Sequence, residues 1–486
     1  MNSIIFRLKP LWLVLALSFV TLAASAKDVI YVKSGASGGG SSWSDAIGNI
    51  QQAVDLAAQK GADVWVAKGV YKSDSSVVVK LKPNVSLYGG FAGGETSLAA
   101  RDTAKNATVL DGDGKSQVLY QVSDFEDASA VVVDGFTIRN GTASNGGGAY
   151  LQKNSTLNNC ILKNNTATDF GLAIYATNAK VKNCIISDNT TSGTAYRTVF
   201  LNASEMDGCV VKNNTAYSCS GIYVYNSSVV SNTTIDSNKN IYAENESPLY
   251  LNLRSKLIDC VVTNNYGRNA GVCAYNESLV KGCSFSKNTS TANSLIHIQD
   301  YSKIEDSEIF DNRGIDFEIV YVYYVSYMNR CKVYNNVVDN DHYIVNIRTS
   351  SVLSNSLIYG NKNVKAASAP LCLYSANMIN TTFADNETGA EYSLRMNSSS
   401  VINSIIVGTK HTGSFRGHVL SVGSNTFRHS MIEGGVWGEG NITGTKELAA
   451  FTDPEKGDYS LSEKSYCINR GQDVQDTIDL TGNARK

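Results

Sequence analysis

Six aromatic residues, Tyr150, Tyr175, Phe200, Tyr225, Tyr250 and Tyr275, stand 25 residues apart. The residue before each is mostly apolar (Ala149, Ile174, Val199, Val224, Leu249, Ala274), while the residue two further on is polar (Gln152, Thr177, Asn202, Ser227, Asn252, Glu277). On strands, where side chains alternate between faces, this pattern puts the rings outside a core and along one line. Such a line has two uses. It stabilises neighbouring strands, or it offers ring faces and phenol hydroxyls to the faces and rims of sugar units. The other concentration of chemistry is Asp316, Glu318, Asp339 and Asp341 beside His342. Asp316 and Asp341 are again 25 residues apart, which places them on adjacent turns of a repeat, with Arg313 and Arg348 as the nearby cations. Clustered carboxylates of this kind serve as Ca²⁺ ligands, here through Asp316 and Asp341, or as catalytic acids and bases. Acidic residues on a solvated rim account for the same letters.

Other catalytic signatures are missing from the sequence. The five histidines (His297, His342, His411, His418, His429) share no metal-ligand spacing, and no nucleophile elbow or Cys-x-x-Cys pair occurs. Gly146 to Gly148 precede a strand pattern, so they form no phosphate-binding turn before a helix. A net charge of −2 and a pI near 6.2 give no basic footprint for nucleic acid.

The elements that would position these residues repeat along the chain. Phe136, Cys160, Cys184, Cys209, Thr233, Cys260, Cys283, Ser307, Cys331, Ser356, Thr381, Ser404 and Ser430 recur at steps of 23 to 27 residues. Two residues after each stands an apolar residue (Ile138, Leu162, Ile186 and onward to Ile432), and three before stands another (Val133, Leu157, Val181 and onward to Phe427). A Gly, Asn or Asp usually sits just before the origin, so the pattern reads as two short strands meeting at a tight bend and sharing one core. Five residues after the origin, Asn165, Asn189, Asn214, Asn238, Asn265, Asn288, Asn312, Asn336, Asn361 and Asn386 follow without a gap. Asn tolerates the left-handed backbone region, and identical amides stacked at strand spacing form ladders. The origin column mixes Cys with Ser and Thr, so smallness is its requirement, and the thiols are expected to be free and buried.

A period of about 24 residues specifies three short strands and three turns per coil, each strand pairing in parallel with its copy in the next coil. The expected fold is an all-β, right-handed parallel β-helix, wound in the usual hand of parallel crossovers. At ~4.8 Å per coil, thirteen coils make a rod on the order of 60 Å long. Only five Pro among 486 residues, against 40 Gly, suit many short strands joined by tight turns.

The ends need their own treatment. Residues 1–26 read as a cleaved signal peptide: Arg7 and Lys9, an apolar run from Leu11 to Ala24, and a small-x-small site at Ala24-Ser25-Ala26. Export to the cell surface or the medium is expected, with no membrane span in the mature chain. Residues 27–61 read as an N-terminal cap, with Ser44 capping a helix that carries Ile47, Ile50, Val54 and Ala57 on one face and ends at Gly61. The solenoid is assigned to 62–437, and 438–486 reads as a loop-rich closing segment punctuated by Pro454, Gly457, Gly471 and Gly482.

Gly147-Gly148-Ala149-Tyr150, with weaker copies at Gly171 to Tyr175 and Gly221 to Tyr225, and the pairs Phe285 to Asn288 and Phe383 to Asn386, resemble the repeats of chlamydial polymorphic outer membrane proteins. Tyr31-Val32, Trp43 and Gly69-Val70-Tyr71 resemble the opening of pectin-lyase-like β-helix proteins of the type common in exported proteins of Bacteroidetes. Leu87 to Phe91, Glu95-Thr96 and Arg101-Asp102, and the late Tyr466 to Gly471 and Asp479 to Asn483, are similar to a widespread subfamily of these. The resemblance implies the fold over nearly the whole mature chain. It leaves activity open, since that superfamily holds polysaccharide lyases, hydrolases and binding proteins. No alternating strands of a membrane barrel follow the repeats, so the autotransporter arrangement is not expected.

Two readings of function follow. One is a non-catalytic binding or adhesion rod that recognises a polysaccharide, a host-surface glycan or a host protein along an exposed sheet, without a cofactor. The other is a polysaccharide lyase or other polysaccharide-degrading enzyme, for which Ca²⁺ is the cofactor to consider.

Overall fold

The structure is a computed structural model that describes residues 27–126, 130–191, 196–241, 247–363, 365, 367–474 and 479–480. The leader-like segment and the late Thr481-Gly482-Asn483 lie outside the described residues.

The chain is a right-handed parallel β-helix. Three long sheets of 16, 15 and 16 strands run along it, with a fourth ribbon of nine very short strands. The first sheet starts at Val29–Val32 and carries the column three residues before the repeat origin, so Val133, Leu157, Val181 and Met206 stand in register. The third sheet carries the column two residues after it, with Ile138, Leu162, Ile186 and Val211 in register. The second sheet, from Val77–Leu81 to Gly417–Val422, carries the aromatic line on its outer side. One continuous aliphatic core runs between the sheets from Ile30 to Ile432.

Tight bends join the strands because one residue, or at the corner into the first sheet often an adjacent pair such as Asn276 and Glu277, enters the left-handed region. Just before the origin these are mostly Asn, Asp or Gly (Asn159, Asn183, Gly208, Asp259), with Arg330 and His429 as departures that the sequence pattern did not anticipate. Origin side chains do more than stay small. Cys160 Sγ donates to Asn158 O at 3.2 Å and Thr233 Oγ1 to Ser231 O at 2.7 Å, so thiol and hydroxyl meet the same carbonyl two residues back. The backbone N–H of one origin residue also donates to the next: Cys209 N to Thr233 Oγ1 at 3.3 Å and Cys331 N to Ser356 Oγ at 3.1 Å. All ten cysteines are free thiols.

The asparagine column forms the expected ladder. Asn265 N and Nδ2 both donate to Asn288 Oδ1, at 2.9 and 3.0 Å, and Asn288 repeats both bonds to Asn312 at 2.9 and 3.0 Å. Each Nδ2 also reaches a main-chain carbonyl of the coil before, as Asn288 does to Val262 O at 2.9 Å. The ladder residues are not themselves left-handed. That conformation belongs to the residue before each, such as Asn164, Asp188, Asn213 and Lys287. A second ladder went unnoticed in the sequence: Ser204, Ser228, Ser255, Ser278, Ser302, Ser326 and Ser351 are buried at a corner of the first sheet, with Ser204 N donating to Ser228 Oγ at 2.9 Å.

The ends depart from expectation in detail. Helix α1 spans Ile50–Lys60, with Asn49 as its N-cap, accepting from Gln52 N at 3.0 Å, and Gly61 as its left-handed C-cap. Ser44 is not the cap, because Ile47 is drawn into bridges with Val32 and Ser37 and lies outside the helix. Ile50, Ala53, Val54 and Ala57 are buried in the common core against the first strands. At the other end one more strand, Ile442–Gly444, pairs with Met431–Glu433 inside the segment read as loop. The chain then turns back along the third sheet, where Tyr459 packs on Tyr359 at 4.8 Å and Lys446 meets Asp385 at 2.8 Å.

Replacing Asn288 by Ala strips two donors of Asn265 of their acceptor and removes the side-chain amide that donates to Asn312 Oδ1 and Val262 O, while the backbone N–H of residue 288 still reaches Asn312 Oδ1. At ~1–3 kcal/mol for each buried group left unsatisfied, the variant is expected to lose about 2–4 kcal/mol. Urea unfolding followed by circular dichroism reads this as a lower midpoint. An unchanged midpoint contradicts the structural role assigned to the ladder.

Candidate functional site

The aromatic line is real, and its register differs from a simple count of 25. Tyr150 pairs with Tyr175, Tyr175 with Phe200, Phe200 with Tyr223, and Tyr223 with Tyr250. Tyr225 instead pairs with Asn202, and Tyr250 pairs with Cys273, so Tyr225 and Tyr275 both sit two residues out of the column. The residues that flank the rings, among them Ala149, Leu151, Ile174, Ala176, Ile222 and Val224, are fully buried, which confirms that the rings face outward. Tyr275 re-enters the stack because Cys273 is small: its ring lies 5.3 Å from Tyr250 and 5.2 Å from His297. The phenol hydroxyl of Tyr275 is pushed well up by its burial.

These rings are stacked on one another. Centroids are 4.9 Å apart with a 4° tilt for Tyr150 and Tyr175, 4.8 Å for Tyr175 and Phe200, and 4.9 Å with 5° for Tyr223 and Tyr250. Arg197 adds its guanidinium 3.5 Å above the Tyr223 ring, and Tyr223 is only 8% exposed. Ring faces are therefore taken up within the ladder, at about 0.5–1.5 kcal/mol per pair. The expectation that sugars stack on these faces does not hold. Edges and phenol oxygens are what the half-buried rings present outward.

The same outward column continues past the ladder and changes character. After Cys273 it runs through His297, Tyr321 and Asn346, paired in register. Here the structure holds a cavity of about 230 Å³ on three successive coils of the second sheet. His297, Tyr321, Asn346 and Arg348 come from the strands, and Ser294 and Glu318 from the loops that lead into them. Larger clefts, about 700 Å³ beside α1 and about 540 Å³ under the C-terminal segment, contain no buried charged side chain. The smaller one does.

Glu318 is 7% exposed and accepts from Asn346 Nδ2 at 2.7 Å and from Ser294 Oγ at 3.1 Å. Among the described residues it forms no ion pair. Asn346 is a relay: its Oδ1 accepts from Arg348 Nε at 2.9 Å, so the half-buried guanidinium reaches the carboxylate only through the amide. His297 sits between the rings of Tyr275 and Tyr321, 5.2 and 5.0 Å away, and its Nε2 meets Gln299 Oε1 at 2.9 Å. Gln299 Oε1 only accepts, so Nε2 carries the proton and Nδ1 is left as an acceptor. Burial lowers the His297 pKa, against weaker upward pulls from Gln299, Glu318 and Asp300, so the ring is neutral. Burial likewise raises the Tyr321 hydroxyl.

Of the acidic set seen in the sequence, only Glu318 enters this cavity. Asp339 pairs with Arg313 at 2.7 Å, Asp341 accepts from Ser368 N at 2.6 Å, Asp316 accepts from Asn340 Nδ2, and the His342 ring stacks on Phe317 at 4.7 Å. Asp316 and Asp341 are thus bonded to separate partners, and no group of three or more His, Cys, Asp or Glu suited to a metal occurs among the described residues. This donor set does not fit Ca²⁺, which takes about six to eight oxygens. The rings of His411, Phe415 and His418 do cluster, each histidine at 4.6 or 4.9 Å from Phe415 and the two histidines 6.2 Å apart, a meeting that no spacing in the sequence marked.

A family model described as a right-handed β-helix region matches residues 103–240. No curated protein matches the chain. Among solved structures, the tailspike protein of E. coli bacteriophage HK620 in complex with a pentasaccharide is similar over 78% of this chain and 76% of its own, at 14% identity and a TM-score of 0.35. The A-module of the Azotobacter vinelandii mannuronan C-5 epimerase AlgE4 is similar over 79% of this chain and 94% of its own, at 12% identity and a TM-score of 0.35.

Two expectations follow from this geometry. Tyr223→Ala opens a gap in the ladder beneath Arg197 and is expected to lower stability by roughly 3 kcal/mol. Tyr225→Ala, outside the column, should change it by less than about 1 kcal/mol; equal losses in thermal unfolding contradict the register. The second concerns pH. Because His297 titrates below its unfolded value of 6.5, its share of stability is complete above that value and is lost as the pH falls toward the folded one, where the unfolded chain binds the proton first. His297→Phe should flatten the pH dependence of stability between about 5 and 7. Superimposable profiles for the two proteins would show that His297 is not buried neutral.

Proposed function

We propose that this protein is exported and recognises glycans along the outer face of its second sheet, with the Glu318 cavity as the centre of recognition and with no catalytic step. The observation that carries this reading is the continuity of one outward column, from the half-buried ring edges of Tyr150, Tyr175, Phe200 and Tyr250, with Tyr223 buried beneath Arg197 between them, into the cavity formed by His297, Tyr321 and Asn346. Sugars offer apolar C–H patches ringed by hydroxyls. A track of ring edges and phenol oxygens leading to convergent polar groups is complementary to that surface.

Export rests on the cationic, apolar and small-x-small order of residues 1–26. Adhesion to a host surface is one use of such a rod, and a released glycan-binding protein is another. Binding is favoured over hydrolysis because the cavity holds one carboxylate, whereas glycoside hydrolysis generally uses a pair.

Glycan-array binding of the purified mature protein tests the proposal. Selective binding is expected, weakened at least about tenfold by Asn346→Ala. Failure to bind any glycan overturns the reading. New ultraviolet absorbance from unsaturated products on incubation with acidic polysaccharides, abolished by Glu318→Gln, would place the protein among the lyases instead.

A further inference from the structure

We infer that the Glu318 cavity selects an uncharged, hydroxyl-rich sugar residue and discriminates against uronic acids. The inference rests on the glycan reading above and names the substrate class of that site.

It begins from the surroundings of the carboxylate. Glu318 is buried, yet both of its side-chain partners are neutral donors, the Ser294 hydroxyl at 3.1 Å and the Asn346 amide at 2.7 Å. Both partners are buried as well. A carboxylate offers about four acceptor sites, and these donors occupy two. The remaining capacity suits sugar hydroxyls, which donate well and carry no charge. The cavity of about 230 Å³ has the bulk of several waters at ~30 Å³ each, the scale of a single sugar ring.

The two charges at the site differ in depth. Glu318 lies inside, while the Arg348 guanidinium is half-buried, spends its Nε on Asn346 Oδ1, and stands 5.9 Å over the Tyr374 ring, a side chain that is itself exposed. Solvent screens Arg348 more than it screens Glu318. A sugar carboxylate entering the cavity would therefore meet the less screened charge, which is of its own sign. Two like charges ~4 Å apart at the effective dielectric of a protein surface repel strongly enough to reduce affinity by more than about a hundredfold. His297, neutral and with Nδ1 as an acceptor, offers such an anion no compensation. Arg348 instead serves a neutral ligand from the rim, donating to ring or hydroxyl oxygens.

The test uses the full mature protein and matched oligosaccharide pairs that differ only in oxidation at C6: mannan against mannuronan, galactan against galacturonan, and glucan against glucuronan oligomers. Isothermal titration of the wild type is expected to show at least one neutral member binding about a hundredfold tighter than its uronate partner. Glu318→Gln, which keeps shape and removes charge, is expected to shrink that ratio to within about fivefold, mainly by admitting the uronate. A wild-type preference for a uronate overturns the inference while leaving glycan recognition standing, and so does an unchanged ratio in folded Glu318→Gln. If the variant fails to fold, the wild-type ratio alone decides. If no member of any pair binds and the array is blank, the glycan reading falls and this inference falls with it.

Discussion

The fold depends on how a buried corner satisfies its backbone. Each coil turns inward-facing main chain through a tight bend between the third sheet and the short-stranded ribbon, where water cannot reach. The asparagine ladder answers this: a side-chain oxygen from the next coil accepts from one backbone N–H and one amide, while the amide reaches a carbonyl of the preceding coil. Ten buried residues from Asn165 to Asn386 carry the chain of bonds, so every coil completes its neighbour. The Cys, Ser and Thr column and the Ser ladder repeat the principle at two other corners. Buried polar groups of this kind are demanding, since an incomplete set is worse than none. That demand is what fixes the phase of the repeat.

Fixed phase has a consequence for the surface. Once three corners are locked, positions on the outer side of the second sheet are aligned coil by coil, and a residue contributed by one coil stands a strand spacing from its counterpart in the next. Groups distant in sequence are thus brought into one line without any loop to arrange them. His297, Tyr321 and Asn346 are positioned this way, and they sit on strands, which hold geometry better than loops do. Glu318 arrives differently, from the loop entering the strand Val320–Tyr323, and its place is set by Ser294 and Asn346 on the coils either side.

The same physics explains what the sequence revealed. Core columns and the Asn ladder show plainly because every coil must put the same type of residue at the same corner, so the letters themselves repeat. The outward column has no such requirement, and coil length varies in the stretch that leads into the second sheet. Counting 25 from ring to ring therefore slipped at Tyr225. Counting back from the next apolar position of the first sheet keeps the register: Tyr223 to Val230, Tyr250 to Leu257, His297 to Ile304, Tyr321 to Met328 and Asn346 to Leu353 are each seven residues. That count would have assembled three walls of the cavity. Ser294 and the relay role of Asn346 had no signal, since one Ser or Asn in a chain rich in both stands out only when its partner is known.

The cavity is also where the sheet gives up its own best interaction. From Tyr120 to Tyr275 the column keeps rings on rings, each contact adding stability at no polar expense. At His297 the ring turns edge-on to Tyr321, 88° from parallel, and at Asn346 the stack ends. In its place stands a carboxylate withdrawn from water and held by neutral donors, an arrangement that destabilises the fold relative to another ring. Nothing in the corner ladders calls for this, because they run unbroken past the same coils from Asn288 to Asn361. A local departure from the most stable pattern, confined to this stretch of an otherwise regular sheet, is what the proposed glycan site requires and what the rod itself does not.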